Sequence, residues 1–135
     1  MELRAALDTN RVSDLFQGDT ALAERLETYD EVWVPLMVLA ELKAGFFGGN
    51  RQHRNERLLR ELLAKPTVRV LLPGRETAEQ YARLFVQLKR AGTPIPTNDV
   101  WIAALALEND LFLVTRDPHF QRIPQLLQGS FGPAM

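Results

Sequence analysis

Short apolar segments that read as buried strands alternate along this chain with segments of helical periodicity. Strands are predicted over residues 3–7, 31–35, 68–72 and 111–115, where apolar and β-branched residues dominate. The last of these is a continuous apolar run, as is typical of a strand inside a parallel sheet. The alternation predicts a three-layer α/β domain in which helices flank a central parallel sheet of four or five strands.

The predicted helices follow from apolar residues at helical spacing and from the turn residues that end them. The last helix is apolar nearly all round, which predicts burial on every side. The segment after Pro124 shows neither pattern, and we expect it to be loosely held. The predicted helices span residues 11–17, 20–28, 36–47, 54–63, 77–91 and 98–108.

Composition limits the class of protein. A chain of 135 residues with 46% apolar content is expected to form a single domain over residues 1–135. It has no cysteine, which excludes disulfides and thiolate zinc sites, and its net charge of −1 argues neither for nor against a nucleic-acid partner. No apolar run approaches the roughly 20 residues of a membrane span, and the N-terminus lacks a signal-peptide pattern. We therefore expect a cytoplasmic protein without membrane association.

Four acidic residues, distant in sequence, stand where apolar runs meet a turn or a helix. Asp8 and Asp117 follow predicted strands, Asp99 lies in the first turn of a helix, and Glu41 has apolar neighbours that predict an inward-facing side chain. Because the carboxyl ends of parallel strands gather at one edge of a sheet, we expect these acids to converge. Two carboxylates about 4 Å apart repel by roughly 4 kcal/mol at an effective dielectric near 20, which predicts a divalent cation among them.

Each acid also has an interpretation that needs no ligand. Asp8 and Asp117 are typical turn or cap residues, Asp99 stabilises the positive end of its helix, and Glu41 can be an ordinary solvated helix residue. His53 and His119 have no partner Cys or His at metal-ligand spacing, so we interpret both as surface or packing residues. It is the joint occurrence of the four acids that favours a site.

Taken together, these segments resemble the PIN-domain nuclease family, and specifically the small VapC-type toxins of prokaryotic toxin–antitoxin pairs. The resemblance covers almost the whole chain. Each motif is modest alone, but all four occur in order and with suitable spacing. The motifs are Leu-Asp-Thr-Asn at residues 7–10, Leu-Ala-Glu-Leu-Lys-Ala-Gly at 39–45, Asn-Asp-Val-Trp-Ile-Ala-Ala at 98–104 and Leu-Val-Thr-Arg-Asp-Pro-His-Phe at 113–120.

The resemblance implies a parallel α/β fold, an acidic Mg²⁺ or Mn²⁺ site, and endoribonuclease activity that a cognate VapB-type antitoxin blocks. Asp8, Glu41 and Asp99 correspond to the acidic core of the family. Asp117 corresponds less directly, because many relatives have Asn there and an acid two residues on, where this chain has His119. Such toxins usually form homodimers, and the candidates for partner surfaces are Phe46, Phe47, Leu58 and Leu59.

Oxygen ligands in a chain without cysteine favour Mg²⁺ or Mn²⁺ over zinc. We expect Asp8 and Asp99 to bind the ion directly, and Glu41 and Asp117 to act through water or a second ion. The basic residues that are candidates for contact with RNA are Arg116 and Lys43. Side chains expected to hold the acids or their bound water in position are Thr9, Asn10, Asn98 and Thr115.

Other functional classes lack residues that they need. A phosphatase of the haloacid dehalogenase type requires a second Asp two residues after the first, where this chain has Asn10. A phospho-acceptor signalling domain requires paired acids after the first strand and a Lys near the last, and both are missing. The alternative that stays open is a catalytically weak PIN-like module that binds RNA or a protein.

Overall fold

The computed structural model describes residues 2–132 and forms a parallel sheet of five strands with helices on both sides. In chain order the elements are β1 (Arg4–Leu7), α1 (Thr9–Phe16), α2 (Thr20–Leu26), β2 (Glu31–Pro35), α3 (Leu36–Gly48), α4 (Gln52–Leu63), β3 (Val68–Leu71), α5 (Arg75–Arg90), α6 (Thr97–Glu108), β4 (Phe112–Val114), a 3₁₀ helix (Pro118–Arg122) and β5 (Gln128–Gly129).

The strand order β3-β2-β1-β4-β5 places the first strand at the centre of the sheet. Ala6 of β1 pairs with Trp33 of β2 on one side and with Leu113 of β4 on the other, and all neighbouring strands are parallel. After β1 the chain adds β2 and then β3 on one side of the sheet, and it then returns to add β4 and β5 on the other side of β1. This reversal leaves a crevice at the carboxyl ends of β1 and β4, where parallel α/β sheets bind ligands. The predicted fold class is confirmed.

The core is built around β1 and α6. Ala5, Ala6 and Leu7 are fully buried, and residues 102–106 of α6 are fully buried as well. Among the described residues, the buried polar or charged ones are Asp8, Arg11, Thr77 and Thr115. Burying a polar side chain without a hydrogen-bond partner lowers the stability of a protein, so these are the positions at which the fold accepts such a loss. Two of them, Asp8 and Thr115, lie at the crevice.

Helix α1 begins two residues earlier than predicted. Asp8 is its N-cap, and the carboxylate accepts a hydrogen bond from the Thr9 backbone N–H. Capping by Asp is favourable because it satisfies one of the free N–H groups of the first turn. Helix α1 therefore starts directly after the first predicted acid.

The expectation of a loosely held tail after Pro124 is wrong for the described residues. Residues 128–129 form β5 against β4, and Leu126 is buried. The Tyr29 hydroxyl donates to the Phe131 carbonyl, and a side chain at Gly132 would overlap this hydroxyl. A strand of two residues is too short to show a periodic pattern in the sequence, so it is recognised only by its pairing with β4.

Within residues 2–132, no helix is both long enough and apolar enough to cross a bilayer.

Candidate metal centre

Asp8 lies at the carboxyl end of β1 and is 4% exposed. Its backbone N–H donates to the Val114 carbonyl (3.0 Å), which ties the start of α1 to β4. Its carboxylate accepts hydrogen bonds from the Thr115 hydroxyl (2.7 Å), the Thr9 backbone N–H (2.8 Å) and the Asn10 amide (3.1 Å). Burial raises the pKa of Asp8, and these donors offset the rise only in part.

Thr115 and Asn10 span the crevice between β1 and β4. The Thr115 hydroxyl donates to Asp8 and accepts from the Asp117 backbone N–H (3.0 Å). The Asn10 side chain donates to Asp8 and accepts from the Arg116 backbone N–H (3.3 Å). The two neutral side chains therefore hold together the segments that follow the two strands.

Asp99, Asp117 and His119 form a compact cluster on the other side of the crevice. Asp99 comes from the first turn of α6, and Asp117 caps the 3₁₀ helix by accepting from the His119 backbone N–H (2.9 Å). His119 Nδ1 lies 3.1 Å from Asp99 Oδ2 and 3.2 Å from Asp117 Oδ1. One ligand atom from each residue lies within 4.8 Å of the others, as a shared cation requires.

The interpretation of His119 as a surface or packing residue is therefore incomplete, because its side chain is 38% exposed and also contacts two of the acids. Sequence reasoning searched for Cys or His partners, whereas the partners of this imidazole are two carboxylates. A usable signal was present, since His119 follows Asp117 by two residues in the turn after the most apolar strand. The contact with Asp99, 20 residues away, had no local signal.

Glu41 reaches the site from α3, where its carboxylate accepts a hydrogen bond from the Asn98 amide (2.6 Å). The residue as a whole is exposed, so the expectation that it faces the interior is wrong. Partial burial of its carboxyl group, together with the charges of Asp8 and Asp99, still raises its pKa. The buried Thr9 hydroxyl lies beside this carboxyl group, and its interaction with Glu41 opposes the rise in pKa.

The four acids lie close enough to affect one another. Burial raises the pKa of Asp99, the charges of Asp8 and Asp117 add to the rise, and His119 opposes it. Asp117 also raises the pKa of Asp8, and Asp8 that of Glu41. Within residues 2–132, these acids form ion pairs with His119 and with no Lys or Arg. The oxygen-rich, poorly compensated cluster fits a hard divalent cation.

The two basic residues predicted to contact RNA are paired with carboxylates. Arg116 donates from Nε and Nη2 to the two oxygens of Asp14 (2.7 and 3.1 Å), and this bonding lowers the pKa of Asp14. Lys43 Nζ lies 2.6 Å from Glu56 and so links α3 to α4. Arg116 borders the site through its backbone bond to Asn10, whereas Lys43 contacts none of the four acids.

Comparison with known proteins supports one family. The family model described as PIN domain matches residues 5–126, a range that includes all four acids. The chain is 34% identical over 125 residues to Ribonuclease VapC1 of Haemophilus influenzae strain R2866, covering 89% of this chain and 92% of that protein.

Solved structures give the same result. VapBC-1 from nontypeable Haemophilus influenzae has a TM-score of 0.81 and 32% identity, covering 92% of this chain and 95% of that one. VapBC2 from Rickettsia felis, solved bound to a DNA fragment from their promoter, has a TM-score of 0.80 and 25% identity, covering 92% and 96%. The family match covers most of the sequence and the fold agrees over nearly its full length, and the chain belongs to the PIN domain family.

Proposed function

We propose that this protein is a metal-dependent endoribonuclease, the toxin of a toxin–antitoxin pair, and that residues 1–135 act as one PIN domain. The observation that carries the proposal is the proximity of four carboxylates, since Asp99 and Asp117 share a compact group and both lie near enough to Asp8, as Asp8 does to Glu41, for their charges to interact, with no Lys or Arg of the described residues paired to them. We infer the type of reaction from the relatives, because the Haemophilus influenzae protein of 34% identity is named a ribonuclease.

The donor set fits Mg²⁺ or Mn²⁺. Mg²⁺ keeps several waters and takes one or two carboxylates directly, so we assign Asp8 and Asp99 as ligands, with Glu41 and Asp117 acting through bound water. When bound, the ion supplies polarisation of the scissile phosphate and a water of lowered pKa as the nucleophile.

Neighbouring neutral side chains hold the acids in orientations that suit metal binding. Thr115 and Asn10 hold the Asp8 carboxylate in one orientation, and Asn98 does the same for Glu41. Such outer contacts typically change metal affinity or activity by about 10–100-fold when they are removed. Burial of Asp8 also keeps bulk water from one side of the site, which strengthens its attraction for a cation.

We assign Arg116 to the RNA backbone. Its side chain is 56% exposed, and the two-pronged geometry that it uses on Asp14 also fits a phosphate. Lys43 is 42% exposed and lies on the same helix as Glu41, so it provides a second positive charge for RNA approaching along α3.

Cleavage of RNA by the purified protein tests the proposal. We expect cleavage with Mg²⁺ or Mn²⁺ and none with a chelator. Asp99→Asn keeps the size of the side chain but removes a proposed ligand, so the rate should fall by about 100-fold or more. The matched control is Asp110→Asn, an exposed loop residue whose positive φ also suits Asn.

Full activity of Asp99→Asn would contradict the proposed site. RNA binding by the wild type without cleavage under any divalent cation would instead favour the binding module. Retained activity in Asp110→Asn is needed to show that the loss in Asp99→Asn is specific to the site.

We propose two protein partners, a VapB-type antitoxin and a second copy of this chain. Both solved relatives described above are VapBC proteins. Of the predicted partner residues, Phe46 and Leu59 are buried, whereas Phe47 is 68% exposed. Next to Phe46 lies a cleft of about 440 Å³ whose arginines suit an acidic antitoxin segment; its lining residues are Ser13, Phe16, Gln17, Phe46, Arg51, Arg54 and Asn55.

Co-expression with the antitoxin encoded beside the gene tests the first partner. We expect co-purification and loss of RNA cleavage in the complex. Light scattering of the isolated protein tests the second partner, with the mass of two chains as the expected result and the mass of one chain as the contradicting one.

A further inference from the structure

We propose that His119 is a direct nitrogen ligand of the bound cation, so that the site prefers a first-row transition metal such as Mn²⁺ to Mg²⁺. The inference rests on the proposed metal-dependent function and adds a ligand that this function does not require. It changes the site from one built only of oxygen donors to a mixed site of nitrogen and oxygen.

The distances around the imidazole fit a shared ion. Two ligand atoms bound at about 2.1 Å in adjacent positions of an octahedral ion lie about 3.0 Å apart. Nδ1 of His119 lies 3.1 Å from an oxygen of Asp99 and 3.2 Å from an oxygen of Asp117. The imidazole nitrogen therefore stands at about the separation from the Asp99 oxygen that adjacent positions of one coordination sphere require, and the Asp117 oxygen lies within 4.8 Å of both.

The surrounding structure holds the imidazole in this position. The His119 backbone N–H is bound by the Asp117 carboxylate in the cap of the 3₁₀ helix, and the next residue, Phe120, is fully buried. Asp99 is fixed in the first turn of the buried helix α6. The His119 side chain is 38% exposed and that of Asp99 15%, so the cluster is open to solvent on the imidazole side and a cation can enter.

Imidazole nitrogen selects among divalent ions. It is a good ligand for transition metals, whereas Mg²⁺ prefers oxygen ligands and retains its water. With the ring proton on Nε2, Nδ1 presents its lone pair between the two carboxylates. The rival arrangement has the proton on Nδ1, so that the ring only hydrogen-bonds the carboxylates and the cation binds at Asp8 and Asp99 without it.

Mn²⁺ alone, added to the full chain and followed by pulsed electron paramagnetic resonance, separates the two arrangements. A nitrogen ligand produces ¹⁴N coupling in the spectrum of bound Mn²⁺, and the chain has only two histidines. We expect ¹⁴N coupling in the wild type, its loss in His119→Gln, and its retention in His53→Gln. His53 is the matched control because it is an exposed residue of α4.

Titration calorimetry with Mn²⁺ and with Mg²⁺ gives a second readout. His119→Gln should weaken Mn²⁺ binding by about 10-fold or more, and Mg²⁺ binding much less. His119→Asp, which restores a carboxylate, should bind both ions but lose the preference for Mn²⁺. Circular dichroism and thermal unfolding of each variant show whether it is folded.

Wild-type protein that binds Mn²⁺ without ¹⁴N coupling would overturn the ligand role of His119 and leave the metal-dependent nuclease intact. Equal loss of Mg²⁺ and Mn²⁺ affinity in folded His119→Gln would overturn the proposed preference. Failure of the wild type to bind either ion would overturn the proposed function itself.

Discussion

Thr115 connects two of the acids through one hydroxyl group. It is 1% exposed, donates to the Asp8 carboxylate and accepts from the backbone of Asp117. Without this donor, the buried charge of Asp8 would have fewer stabilising contacts and its pKa would rise further. The chemistry of the site thus depends on neutral residues as much as on the acids.

We predict that Thr115→Val lowers the free energy of unfolding by about 1–3 kcal/mol, because it removes one of three donors to the buried Asp8 carboxylate and leaves the Asp117 backbone N–H without its acceptor. Thr115→Ser keeps the hydroxyl and loses a methyl group, which costs about 0.8 kcal/mol. Urea denaturation of the three proteins measures the difference. A Val variant more stable than the Ser variant would show that the hydroxyl is not what matters.

The tail is a structural part of the sheet. The segment after the 3₁₀ helix covers β4 with β5 and places Leu126, at 6% exposure, in the core. Its end is fixed by the bond between Tyr29 and Phe131 and by Arg11, whose guanidinium lies 5.2 Å from the centre of the Phe131 ring. The edge of the sheet next to the proposed site therefore depends on the tail.

We predict that Leu126→Ala costs about 2–5 kcal/mol of stability, the usual range for a buried leucine. The neighbouring Leu127 is 69% exposed, so Leu127→Ala should change stability by no more than about 0.5 kcal/mol. Thermal and chemical unfolding measure both. Similar small effects for the two variants would mean that the tail does not belong to the cooperative core.

The raised pKa values of the acids make the stability of the whole protein depend on pH. Burial raises the pKa of Asp8, Glu41 and Asp99 above their ordinary values of 3.8, 4.5 and 3.8. Between the ordinary and the raised values, the folded protein binds more protons than the unfolded chain. Its stability therefore increases as the pH falls through this window. Asp14 acts in the opposite direction, but only below 3.8, because its pKa is lowered.

We predict that, with a chelator present, the free energy of unfolding rises as the pH is lowered from neutral towards the carboxyl range. Urea denaturation at a series of pH values measures this slope, and Asp99→Asn should reduce it. A stability that falls over this range in the wild type, with the same slope in the variant, would contradict the predicted effect of the acidic cluster.

A divalent cation should reverse this behaviour. At neutral pH it binds the ionised acids of the folded state and stabilises the protein by about 2.7 kcal/mol at a concentration of 100 times its dissociation constant. The stabilisation should shrink as protons compete for the carboxylates. An equal effect of Mg²⁺ or Mn²⁺ on wild type and Asp99→Asn would place the ion elsewhere.

Local patterns in the amino-acid sequence predict the class of fold and the local setting of three acids. Asp8 after β1, Asp99 in the first turn of α6 and Asp117 after β4 were predictable because strand and helix patterns depend on neighbours a few residues apart. The four family motifs then predicted that these distant acids belong to one site.

Which of these groups contact one another depends on the packing of the whole chain. Several contacts join segments that are far apart in the chain. Strand β4 lies beside β1, Asp99 contacts His119, Glu41 reaches the site from an exposed position on α3, and β5 pairs with β4. Such contacts depend on how the whole core packs, and no periodicity within a segment encodes them. The partners of His119 illustrate both cases, since Asp117 is a neighbour in the sequence whereas Asp99 is brought to it only by the fold.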